Sequence, residues 1–140
     1  MGALFGIPDW LGVTIWIFAG LSIFWIYGNR SIRRAHERVA DHRPNPTRDE
    51  FLAAMKGDCP PEVSEFIWEK ALSYVEPRLT PHPEDDLTKD LRIDDDDIAM
   101  DWPHAWAEQC GFHDSNLPDW PDGWPTTIRN YGRWLEMGPQ

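Results

Sequence analysis

The hydrophobic pattern divides the chain into two unlike parts. From Ile7 to Tyr27 it reads IPDWLGVTIWIFAGLSIFWIY, with Asp9 as its one charged side chain. A helix from Trp10 to Tyr27 would measure ~27 Å, close to the ~30 Å of a bilayer's hydrocarbon. Trp10 stands at one end of it and Trp25 with Tyr27 at the other, where amphipathic rings favour the headgroup region. The pattern predicts a transmembrane anchor over residues 1–29, with Arg30, Arg33, Arg34 and Arg38 following at once in GNRSIRRAHER. Arginines resist translocation, so the expected topology has the amino terminus outside and the carboxyl part in the cytoplasm. A cleaved secretory signal would show the reverse order, with positive charge first. A buried helix of a soluble protein is the other reading of such a run. The start, MGALFG, lacks the Ser or Thr of a myristoylation signal, so no lipid is expected there. Gly12, Ala19, Gly20 and Ser22 could pack closely against another span, but their spacing is not GxxxG.

Residues 30–46 read as a basic juxtamembrane helix and a tether that ends at Pro44 and Pro46. Beyond them the period changes to that of short amphipathic helices. Thr47 and Glu50 form a capping box, TRDE, and Gly57 supplies a stop, which predicts a short helix over FLAAMK. CPPEVSEFIWEKALSYVEP starts on prolines suited to a first turn and repeats Val63, Phe66, Ile67, Ala71, Leu72 and Val75 at helical spacing. The following RLTPHPEDDLTKDLRI is broken by Pro81 and Pro83, yet Leu79, Leu87, Leu91 and Ile93 predict an irregular segment ordered by packing. Asp94 or Asp95 then opens a helix with Ile98, Trp102, Trp106 and Cys110 on one face and Gly111 as its stop. Pro103 lies inside it, which predicts a kink near residues 99–103 or a fresh start capped by Asp101. After a turn-rich stretch, PTTIRNYGRWLEMG predicts a closing helix with Ile128, Tyr131, Trp134 and Leu135 inward. No alternating pattern occurs, so the fold class is all-α: one transmembrane helix plus a small helical domain over residues 47–140.

Charge sharpens the division. From Pro44 onward 21 carboxylates face eight basic side chains, a net charge of −13. Such a body repels polyphosphate, which excludes nucleic acid as a partner. The two cysteines, Cys59 and Cys110, are too few for a disulfide framework and read as reduced, buried thiols, in keeping with a cytosolic setting.

The stretch DLTKDLRIDDDDIAMDW, residues 86–102, sets four aspartates at a helix entry. Its surroundings, a helix, a long acidic and apolar loop, a second helix, a loop and a last helix, resemble the acyl-carrier architecture. The nearer likeness is to the acyl-carrier-like bacterial family known as domain-of-unknown-function family 1493. Its L-x-x-D-L-x-I-D-x-D-D stretch is matched here by Leu87, Asp90, Leu91, Ile93, Asp94, Asp96 and Asp97. The similarity spans roughly residues 60 to 137. It implies a small helical interaction domain and, with the anchor, a bacterial inner-membrane location. In acyl carriers a serine follows the D-L-G-x-D run and receives the phosphopantetheine arm. Matching D-L-R-I-D onto Asp90–Asp94 places Asp95 there, and a carboxylate offers no hydroxyl, so no cofactor is expected.

Three readings compete for the aspartates. They can open a helix, where carboxylates accept from free N–H groups and face the positive dipole end. They can hold a divalent cation, since Asp97, Asp101 and His104 share a helix face and offer hard oxygen ligands, although the D-x-[DN]-x-[DN]-G spacing is missing. Or Asp94, Asp95, Asp96, Asp97 and Asp101 can dock a partner's basic side chains; Trp120 and Trp124 of PDWPDGWP read first as core and second as aromatic anchors of such an interface. No histidine is placed beside a nucleophile, so no catalytic residue is expected. The leading expectation is a non-enzymatic, single-pass accessory subunit or adaptor whose acidic domain binds a membrane-associated protein with a basic surface. A cation-responsive regulator and a membrane-tethered carrier are the alternatives.

Overall fold

The structure, a computed structural model, describes residues 8–139. The MGALFG start, with its expected lack of lipidation, lies outside the described residues. Among those described there is no strand, and one isolated bridge joins Asp86 to Thr127. The chain is all-helical and forms two compact units, Met1–Arg34 and Ala35–Gln140, with the division falling inside helix α1 (Asp9–His42).

In the first unit α1 carries an apolar stretch long enough to cross a membrane, none of it buried. Trp16 and Phe24 are each 79% exposed, and Trp10, Trp25 and Tyr27 are exposed as well.

The second unit is a body of four further helices: α2 (Arg48–Met55), α3 (Pro61–Val75), α4 (Trp102–Cys110) and α5 (Ile128–Glu136). Each starts or stops for a local reason. The capping box of α2 closes on both sides, Thr47 Oγ1 accepting from the Glu50 N–H at 3.3 Å and Glu50 Oε2 from the Thr47 N–H at 2.7 Å. Thr47 and Thr127 each cap a helix through a hydroxyl, while α3 begins on a proline pair whose missing N–H is no loss in a first turn. Gly111 ends α4 in the left-handed conformation, φ 79°.

The core gathers the apolar faces these caps aim inward. Phe51 and Met55 of α2, Ile67 and Ala71 of α3, and Ile128 of α5 have no exposed surface. Tyr131, Trp134 and Leu135 are buried beside them, as the spacing in the closing helix predicts. Gly132 lets α5 lie close to α2, because a Cβ there would stand 2.9 Å from Met55 Cε and 3.0 Å from Cys59 Sγ. Leu79, Leu87, Leu91 and Ile93 pin the long irregular connection onto the same core. That connection is also tied by its backbone, with the Leu87 N–H donating to Thr126 O and the Ile128 N–H to Asp85 O.

Two expectations need correction. Residues 35–46 are not a tether but belong to the body. Ala35 and His36 are buried, and Val39 and Ala40 pack on the core. His36 Nε2 lies 2.6 Å from Leu91 O; a carbonyl only accepts, so Nε2 carries the proton. Arg43 reaches Asp85 with both prongs of its guanidinium, Nε to Oδ1 and Nη2 to Oδ2 at 2.7 Å each, and Nη2 also donates to Thr80 O. The arginines that dominate this stretch of sequence hide the small apolar face between them. Cys110, expected to be buried, is exposed. Residues four apart on a helix drift ~40° per step at 3.6 residues per turn, so the face that buries Trp102 and Trp106 has turned outward by Cys110.

Burial pushes the Asp85 carboxyl up from its ordinary range against the opposing pull of Arg43. The ion pair is nearly dry, with Asp85 at 3% and Arg43 at 15% exposure. Removing one partner strands a buried charge, which costs about 3–5 kcal/mol. Asp85→Ala is therefore expected to lower the body's stability by that order, measured as a fall in urea midpoint with unchanged slope.

Candidate interaction groove

The four aspartates open the helical segment that leads into α4. Asp94 Oδ1 accepts from the Asp96 N–H at 3.0 Å, an Asx turn that caps the first helical turn. Asp97 accepts from the Tyr74 hydroxyl of α3 at 2.7 Å, and that bond raises the Tyr74 pKa. Asp95, Asp96 and Asp101 remain exposed.

The segment then departs from α geometry. Residues Asp97–Asp101 form a π turn, in which the Trp102 N–H donates to Asp97 O, five residues back. The reason is Pro103. In an α register its ring would crowd the carbonyl four residues earlier, and a π turn relieves that clash by adding one residue to the loop. In the new register the carbonyl of Ile98 faces the proline, which has no N–H to offer. The Tyr131 hydroxyl of α5 takes that place, donating to Ile98 O at 2.7 Å in the interior. Burial raises the Tyr131 pKa, so the hydroxyl stays a donor. Asp101, the alternative cap expected from sequence, makes no cap bond.

Beside this turn lies an open groove of about 640 Å³. Ile98, Ala99 and Pro103 form one wall, Leu117, Pro118 and Trp120 the other, and Tyr131 with Trp134 the floor. Asp95, Asp114 and Asp119 stand on its rim. The aromatic rings hold one another: Trp120 lies 5.6 Å from Trp134 and 6.2 Å from Tyr131 between centroids, and 6.1 Å from Trp124 in an edge-on pair. Their polar hydrogens are spoken for, Trp120 Nε1–H donating to Trp124 O at 3.1 Å and Trp134 Nε1–H to Pro118 O at 2.8 Å.

The sequence-derived candidates are thus partly united. Asp95 and Trp120 line one groove, whereas Trp124 pairs edge-on with Trp120 without lining it and Asp94 and Asp97 are engaged within the fold. Asp97, Asp101 and His104 do not converge; His104 Nδ1 lies 3.4 Å from Asp114 instead. Among the described residues no three His, Cys, Asp or Glu side chains gather at a spacing suited to a metal ion. His113 has Ser115 Oγ at 2.7 Å and Asp114 at 3.1 Å, but both contacts use Nδ1. One nitrogen cannot deprotonate a serine while being oriented by an aspartate, so this cluster caps a turn and is no catalytic triad. Tyr131 and Trp134, read from sequence as core alone, also floor the groove. Their helical spacing gives the same signal either way.

Comparisons with family models, with curated proteins and with solved structures give no match to this chain.

The two thiols differ in exposure, Cys59 buried and Cys110 open to solvent. Cys59 is buried, and desolvation, reinforced by Glu136 and Asp58, pushes its pKa up to about 12. At pH 8 native protein is expected to take up one iodoacetamide, on Cys110, and a second only in denaturant, as read by intact mass. An unfolded thiol ionises near 9 and the folded one near 12, so stability from this group is complete below 9 and declines as pH rises between them. Tyr131→Phe leaves the buried Ile98 carbonyl without a donor and is expected to cost about 1–3 kcal/mol, seen as a lowered Tm with the helical circular-dichroism signal retained.

Proposed function

We propose that this chain is a single-pass membrane protein whose acidic body acts by binding rather than catalysis, as an accessory subunit or adaptor that docks a membrane-associated protein with a basic surface. The observation that carries the reading is the contrast between the two units. The apolar side chains of α1 stand bare, an arrangement that costs ~25 cal/mol for each Å² of apolar surface left in water. A bilayer removes that cost. Arg30, Arg33 and Arg34 follow the apolar stretch, which supports a cytoplasmic body and an outside amino terminus. A body of net charge −13 accelerates and selects encounters with basic partners.

The body is acyl-carrier-like on this reading, and one backbone feature supports it. Arg92 adopts the left-handed conformation, φ 58°, at the position where the carrier run D-L-G-x-D has its glycine. A left-handed residue is a position that favours glycine, and this chain holds it with an arginine, at the energetic expense of a non-glycine residue with positive φ. Asp95 occupies the serine position, so the docking role is proposed without the prosthetic arm.

In cells, full-length protein is expected to stay in the membrane pellet after alkaline carbonate, with the body protected from protease added outside. Isolation in mild detergent is expected to co-elute a partner, lost at high salt. Protein found in the carbonate supernatant, or a monomer alone at both low and moderate salt, overturns the proposal.

A further inference from the structure

Resting on that reading, we infer that the docking site is the groove beside the π turn, and that its occupant is a peptide segment of the partner in which large apolar side chains are flanked by lysine or arginine. The polar inventory of the groove selects this chemistry. The aromatic donors that line it are already committed to backbone carbonyls, Tyr131 to Ile98 O, Trp134 to Pro118 O and Trp120 to Trp124 O, and Ser115 Oγ is engaged with His113, which leaves the neutral Thr126 hydroxyl and no cationic side chain in the lining. An anionic ligand would meet apolar ring faces and three carboxylates. A cationic one finds the same carboxylates as partners and the rings as cation–π platforms.

The rim is also unspent. The carboxylates of Asp95 and Asp119 make no hydrogen bond or ion pair with other described residues and are exposed, while that of Asp114 is shared with His104 and His113. This differs from Asp58, in the turn after α2, which Arg129 and Arg133 of α5 neutralise within the fold. A volume of about 640 Å³ falls within the ~300–1,000 Å³ range of ligand sites and takes more than one side chain. The walls are held by the proline-driven turn and the interlocked tryptophans, so the groove is formed before the peptide arrives, and little ordering cost falls on this chain.

The test uses full-length protein in detergent micelles and the fluorescein-labelled hexapeptide Arg-Lys-Leu-Phe-Arg-Lys, followed by anisotropy. A second peptide replaces its Leu and Phe by Ser. Binding is expected to weaken about ten-fold in the Asp95→Asn, Asp119→Asn double variant, and as much for the serine peptide. Ala99→Arg, which sets a cation and bulk into the groove from an exposed position, is expected to abolish it. Glu62→Gln with Glu69→Gln removes the same charge from the exposed face of α3 and is expected to change affinity less than two-fold, roughly the effect of screened surface charges. Equal losses in the groove and α3 variants, or indifference to the Leu and Phe, overturn the groove assignment. The adaptor reading fails separately, by the absence of any co-eluting partner. If Ala99→Arg protein still captures the partner from native membranes, the adaptor reading stands and the groove is not its site.

Discussion

One missing proton organises the body. Pro103 cannot donate to the carbonyl behind it, and everything around the groove follows from how that deficit is met. The helix widens into a π turn, Ile98 O is left to be satisfied from outside the helix, and the Tyr131 hydroxyl crosses from α5 to do so at 2.7 Å. A buried carbonyl without a donor costs about 1–3 kcal/mol, so the crossing bond fixes α5 against the turn. With α5 in place, Tyr131 and Trp134 become the floor of a groove whose wall is the same turn. π turns are frequent at functional sites because they move side chains off the α register. Here the moved residues face the strongest aromatic cluster in the body.

A second fixed point joins the end of α1 to the long connection. Arg43 and Asp85 form a fork in a nearly dry setting, and Arg43 also binds Thr80 O. These bonds hold the end of α1 to the proline-rich connection. The connection has little regular structure of its own, so its order comes from four buried apolar side chains, a few backbone bonds to the α5 entry, and this ion pair. Residues 35–46 are therefore part of the folded body, which removes the freely jointed tether that the prolines suggest.

The acidic run illustrates how one motif divides its labour. Asp94 and Asp97 serve the fold, one as a cap and the other as acceptor for Tyr74, while Asp95 lies at the groove rim. Three of the four identical neighbours thus differ in surroundings, and Asp96 stays in solvent, because a helix turns ~100° between successive residues and presents each to a different environment. Charge alone does not separate these positions; geometry places Asp95 in the lining of the groove, in company with Asp119 from a distant loop.

The sequence by itself determined what depends on local pattern. The apolar stretch after Asp9, the capping box at Thr47, the proline start of α3, the stop at Gly111 and the inward face of α5 were all legible, because each is set by residues within a turn or two of one another. The presence of trouble at Pro103 was legible too. What only the tertiary structure decided was how distant groups resolve local deficits: Tyr131 supplying the donor that Pro103 lacks, Asp85 taking up Arg43, and Trp120 meeting Tyr131 and Trp134 across more than ten residues of chain. Periodicity shows which side of a helix is apolar. It cannot show whether a ring on that side is sealed in the core or left as the floor of a groove, since both demand the same hydrophobic residue at the same spacing.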